Sequence, residues 1–135
     1  MIEADPSLDG DQLLEYARQA VSRAYCPANQ TPVGAAALTA AGHVFQGCSI
    51  HNESDLLSIC AERVALFNAV AAGEREIIRV AVSTEGGNVW SARDLLPCGA
   101  CREVLREFCD EDMEITVDHV GDFLLHALLR EAYQF

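Results

Sequence analysis

Residues 77–84, "IIRVAVST", form a nearly continuous β-branched run. Such a run reads as a strand covered on both faces, because a strand with one wet face alternates apolar and polar residues. What flanks it sets the fold. Upstream, residues 59–72 read as a helix that Gly73 would stop. Downstream, the polar, glycine-bearing loop "EGGNVWSARDLL" leads into "PCGACREVLREFC", a tight turn opening another helix. Strands separated by helices should run parallel, with right-handed crossovers.

Working outward, Leu13, Leu14, Ala17, Ala20, Val21 and Ala24 make a helical stripe over residues 9–25, which Asp9 would cap. "PVGAAALTAAGHVFQGCSI" reads as two short strands around a turn at Ala41-Gly42, and the small residues at 34–37 allow close packing on the first strand. "HNESDLLS" is a polar loop, "MEITVD" another strand, and "DFLLHALLREAYQF" a terminal helix. The order α-β-β-α-β-α-β-α predicts a central sheet between helical layers, an α/β three-layer α-β-α sandwich in a single domain over residues 1–135.

Nine basic against 21 acidic residues give a net charge of -12, and the chain contains no lysine. Such a surface repels phosphate backbones and anionic membranes, so neither nucleic acid nor membrane is an expected partner. The segment "MIEADPSLDGDQ" has no basic n-region followed by an apolar stretch, and no apolar run is long enough to span a bilayer. The expected location is the cytoplasm. In that reducing compartment the six cysteines are expected as metal ligands or buried thiols, the latter for Cys26, Cys48 and Cys109.

Cys98 and Cys101, spaced C-x-x-C, can turn both sulfurs toward one point, and Cys60 could supply a third ligand from the start of the preceding helix. The two helix starts, expected to follow neighbouring strands and so to face one another, both carry partial positive charge, which favours thiolate. Three protein ligands leave zinc a fourth position for water. Glu62, on the same first turn as Cys60, can reach that water without being a ligand. Arg63 or Arg102 could hydrogen-bond the sulfurs and offset the excess negative charge. A structural zinc knot or a redox C-x-x-C are the alternatives. The first normally uses four protein ligands, and the second has no use for Cys60 or Glu62.

"CAE" at 60–62 followed by "PCGAC" at 97–101 resembles the cytidine deaminase superfamily, whose zinc signature has this form. "AYCPANQTPVGAAALTAAG" resembles the corresponding segment of its small tetrameric members, so the likeness runs from about Tyr16 to the end. The resemblance implies a mixed sheet of about five strands, a homotetramer, and one zinc ion per chain on Cys60, Cys98 and Cys101. It implies that Glu62 shuttles protons and Arg63 contacts the ligand sulfurs. The Ala61 N–H would hold the pyrimidine carbonyl, and the Leu96 carbonyl would receive the amine. Metal-activated water would attack the carbon bearing the amino group, and ammonia would leave.

The pocket departs from the family pattern. Thr31 stands where "FPVGAA" has an aromatic, Ser49 and His51 replace the Asn and Glu of "NVEN", and Ala28 replaces the tyrosine of "PYS". The loop containing Trp90 is a few residues longer. The resemblance makes cytidine or deoxycytidine the first expected substrate, while these departures predict weak activity on it and favour the alternative, a blasticidin S-type or modified cytosine compound. A catalytically idle, zinc-stabilised binding protein is the alternative of another class, and the retained Glu62 speaks against it.

Overall fold

The computed structural model describes residues 1–84 and 99–127. In chain order these form β1 (Ile2–Glu3), α1 (Gly10–Val21), β2 (Val33–Thr39), β3 (His43–Cys48), a 3-10 turn (Asp55–Leu57), α2 (Ala61–Ala71), β4 (Ile77–Thr84), α3 (Gly99–Phe108), β5 (Cys109–Val117) and β6 (Gly121–Leu124). One sheet runs in the order β1-β3-β2-β4-β5-β6. β2 is antiparallel to both β3 and β4, whereas β4 and β5 are parallel, so the sheet is mixed as expected. β3 and β4, joined through α2, therefore share a direction with β2 between them.

Side-chain alternation splits the core in two. Ala36, Leu38, Val44 and Ala81 point to one face, where they meet Leu13, Leu14 and Ala17 of α1. Ala35, Ala37, Phe45, Val80 and Val82 point to the other and meet Ala61, Ala65, Leu66 and Ala69 of α2 and Leu105 of α3. These are the three layers. α1 starts where the sequence placed it, in a capping box: the Gln12 N–H donates to Asp9 (2.8 Å) and the Asp9 N–H to the Gln12 side chain (3.0 Å). It ends at Val21, short of residue 25, because Tyr25 leaves to pair with the segment after β3, its N–H donating to the Ser49 carbonyl (3.0 Å).

α2 closes as Gly73 predicted. That residue adopts φ +92°, and the Gly73 and Glu74 amides donate back to Val70 and Ala69 (3.0 Å each). The small residues of the first strands permit close approach on both faces. A Cβ at Gly34 would lie 2.7 Å from the Val21 nitrogen of α1, and one at Gly47 would lie 2.5 Å from the Ala61 carbonyl oxygen of α2.

Three expectations need correction. The sheet has six strands, because Ile2–Glu3 and Gly121–Leu124 pair along its edges. The segment 122–124, read as helix from its apolar content, is strand: Phe123 pairs with Ile115, and the Thr116 hydroxyl donates to Asp122 (2.6 Å), with helical residues starting at 125. Finally, the strands that lead into α2 and α3 are separated by β2, yet both helices lie on one face and pack against each other.

Candidate functional site

Cys60 is the N-cap of α2, with φ -70° and ψ 151°. Its extended backbone continues Ile59, which pairs antiparallel with Ile50 (3.0 and 2.9 Å). Its side chain makes no capping bond, and the first amides of any helix lack an acceptor within it. The Ala61 N–H belongs to that first turn, and Ala61 is fully buried. Glu62 follows with only 5% of its surface exposed, a carboxylate held out of bulk water.

Arg63 joins the two helix starts. Its Nη2 donates to Cys60 Sγ (3.9 Å) and to the Ser58 carbonyl (3.4 Å), and it also hydrogen-bonds Cys101. Burial works to lower the Arg63 pKa, but the sulfurs of Cys60 and Cys101 outweigh it, and the net shift is upward. Its Nε is buried with no hydrogen-bond partner among the described residues. Cys101, in the first turn of α3, is fully buried. Cys60 and Cys101, far apart in sequence, thus share one guanidinium. Cys98, Leu96 and Trp90 lie outside the described residues, and among those described no three His, Cys, Asp or Glu side chains gather as a metal group.

The remaining thiols differ from one another. Burial, aided by Asp110, pushes Cys109 up to about 12, which makes it an inert core residue. Cys26 and Cys48 are only half-buried, contrary to expectation, and Cys48 Sγ donates to the Arg23 carbonyl (3.5 Å).

The Ile50–Ile59 pairing sets Ser49 opposite Cys60 and His51 opposite Ser58. Ser49 is buried, and its Oγ accepts the Val33 N–H (3.0 Å). His51 is half-buried, with its N–H on the Tyr25 carbonyl (2.9 Å). Thr31, half-buried, precedes Pro32, whose carbonyl accepts the Thr84 hydroxyl (2.6 Å) at the end of β4. Thr84 was not singled out in the sequence. Its only sequence signal is a hydroxyl at the end of an apolar strand, and its partner is remote in the chain.

An α/β sandwich carrying two cysteines and a buried glutamate at the first turns of two packed helices offers thiol donors and a carboxylate in one region. The model of the family described as "Cytidine and deoxycytidylate deaminase zinc-binding region" matches residues 9–117, and the chain belongs to this family of hydrolytic deaminases. A cytidine deaminase of Halalkalibacterium halodurans is 40% identical over 85% of this chain and 84% of its own length. The crystal structure of cytidine deaminase from Burkholderia pseudomallei, 37% identical, superposes with a TM-score of 0.77 over 93% of this chain and 99% of that one. A Blasticidin-S deaminase of Bacillus cereus is 29% identical over 74% of this chain and 73% of its own. Thiol donors beside a fixed cation fit the zinc of the family's description, since zinc accepts thiolate ligands and Arg63 offsets their charge.

Proposed function

We propose that this chain deaminates cytidine or deoxycytidine, or a closely related amino-heterocycle, with one zinc ion held by Cys60, Cys98 and Cys101. The observation that carries the reading is the Arg63 guanidinium donating to the Cys60 sulfur and acted on by that of Cys101, one residue from the buried Glu62. Zinc, when bound, supplies Lewis acidity that makes a water nucleophilic near neutral pH. The chain's own residues do the rest. Glu62 accepts a proton from the attacking water and delivers it to the ring nitrogen beside the carbon under attack. It then takes the second proton, from the hydroxyl now on the attacked carbon, and passes it to the amino group, which leaves as ammonia as the carbon–oxygen double bond forms. Its burial keeps the carboxylate out of bulk water, so that protons pass between the reacting groups and not to solvent. The Ala61 N–H, with no acceptor inside its helix, is suited to grip the ring carbonyl oxygen. The Leu96 carbonyl would receive the amine, while Thr31, Ser49 and His51 line the far side of the pocket. Ammonia release from cytidine by protein containing about one zinc per chain is the expected result. Freshly purified protein without zinc would overturn the proposal.

A second reading keeps the reaction and changes the substrate. Ser49 is shorter than the asparagine it replaces, and its oxygen already accepts the Val33 N–H. Histidine cannot accept two hydrogen bonds as a carboxylate does. A clamp for ribose hydroxyls is therefore weakened, and the likeness to a Blasticidin-S deaminase adds support for a substrate without a standard ribose. Turnover across a panel of amino-heterocycles decides between the two.

The assembly proposed is a homotetramer. Tyr25, Ile50, Leu56 and Leu57 expose between 42 and 92% of their surface in the segments around Cys60, and large apolar side chains exposed in this number support contact with further copies. Among the described residues no helix is long and apolar enough to cross a membrane. Together with the net charge of -12, this favours a cytoplasmic domain over residues 1–135 that acts on a free small molecule and not on nucleic acid.

A further inference from the structure

Asp118 is a buried carboxylate that the chemistry above does not use. It follows β5, is 4% exposed, and binds from three directions. Its Oδ2 accepts Arg18 Nε (2.9 Å) and the Ser83 hydroxyl (2.7 Å), its Oδ1 accepts Arg18 Nη2 (2.8 Å), and its own N–H donates to the Val82 carbonyl (2.9 Å). Arg18 comes from α1 and Ser83 from β4, so one carboxylate fixes the helix on one face of the sheet to the ends of the two parallel strands. The alternation that sends Val82 toward α2 and Ala81 toward α1 also sends Ser83 to the α1 face and Thr84 to the α2 face. Directly opposite this buried knot, Thr84 donates to the Pro32 carbonyl (2.6 Å), and the next amide, Val33, donates to Ser49 (3.0 Å). Ser83 pairs with Gly34 and Thr84 with Val33, so the two strands move together.

We propose that Asp118 is a positioning residue for substrate binding: with Arg18 and Ser83 it fixes the end of β4, and through Thr84 it fixes the Thr31–Pro32–Val33–Ser49 wall of the pocket. It touches neither substrate nor metal. The inference rests on the deaminase reading only for the place of that wall. Cys60 meets that wall through the Ile50–Ile59 pairing, but Ala61 and Glu62 are held by the packing of α2 on Gly47. Loosening Asp118 should therefore act on binding more than on chemistry.

The test compares Asp118→Asn and Ser83→Ala with the wild type. Ser83→Ala removes one bond from the carboxylate and leaves the Arg18 pair, so it folds even where the first variant does not. With cytidine, or the best substrate of the panel, KM should rise roughly tenfold in Asp118→Asn and less in Ser83→Ala, with kcat within about threefold of wild type. Without substrate, amide exchange at Val33 should quicken about tenfold in either folded variant while Val64, in α2, keeps its protection. An unchanged KM in both variants, a loss carried wholly by kcat, or unchanged exchange at Val33 would each overturn the proposal. A wild type that deaminates nothing in the panel would sink the deaminase reading instead, and amide exchange would still decide the role of Asp118.

Discussion

Glu62 and Ser49 are both buried and polar, yet their surroundings give them different work. Glu62 sits in the first turn of α2 beside Arg63, whose Nη2 donates to the Cys60 sulfur and the Ser58 carbonyl. Glu62→Gln keeps size and polarity and removes the exchangeable proton. It should retain zinc and fold while kcat falls by about 10²–10⁴, read by ammonia release and metal analysis on one preparation. Near-normal turnover would assign the proton transfer elsewhere. Ser49 is partly spent on the Val33 amide, so Ser49→Asn together with His51→Glu must rebuild that bond as well as a ribose clamp. Cytidine should improve relative to substrates lacking a hydroxylated ribose, because a site built for hydroxyls rejects analogues that leave its polar groups unpaired. Cytidine turnover that is robust in the wild type and no better in the double variant would show that this loop does not read the sugar. The family was legible because "CAE" and "PCGAC" are each short, local motifs of specific chemistry. The partners of Ser49 and Thr84 were not, since Thr84 and Pro32 lie 52 positions apart and meet only through the register of β2 on β4.

At the scale of elements, local signals were read well where cap chemistry was present and poorly where it was absent. Asp9 with Gln12 and Gly73 after α2 mark helix ends by hydrogen bonds within a few residues. "DFLLHALL" carries no such mark, and its apolar run suits helix or strand equally. The choice is made by the Thr116–Asp122 hydrogen bond and by pairing with β5, both set by the fold. The element that matters most to the site is α2, seated on β3 at Gly47. Gly47→Ala places a methyl 2.5 Å from the Ala61 carbonyl oxygen, on backbone that cannot swing aside. The first turn of α2 must shift, carrying Cys60 and Glu62 with it. A misplacement of about 1 Å can cost about 10²-fold in rate, so this variant should lose kcat with little change in KM, the opposite split to Asp118→Asn. Unchanged kcat with intact zinc content would mean that α2 is not set by this contact.

Over the whole molecule, acidity is a constraint that the sequence shows and the structure localises. With a net charge of -12, like charges repel across the surface at neutral pH, and moderate acidification relieves that repulsion. Two carboxylates oppose the trend. Asp118 is held below its ordinary range chiefly by the Arg18 hydrogen bonds, with Ser83 adding to the shift, and the charged groups around it are Arg18, Glu15 on the far side of that guanidinium, and His119 at 3.8 Å. Glu74 is lowered chiefly by the Thr39 hydroxyl and then by His43, at the opposite end of the hairpin. For each, the folded pKa lies below the unfolded one. The stability they contribute is therefore complete above the unfolded carboxylate pKa, about 4, and is lost as pH falls through the lower folded value. Urea midpoints should hold or rise slightly from pH 7 toward about pH 5, then fall steeply below about pH 4. In Asp118→Asn the group that titrates is gone and one of its two acceptors becomes a donor, although the size of the side chain remains. That variant should be less stable than wild type at pH 7 and should approach it as acid protonates Asp118 in the wild type. A stability difference that stayed constant from pH 7 to pH 3 would show that folding does not lower the pKa of Asp118, and that its charge adds nothing to the junction of α1, β4 and β5.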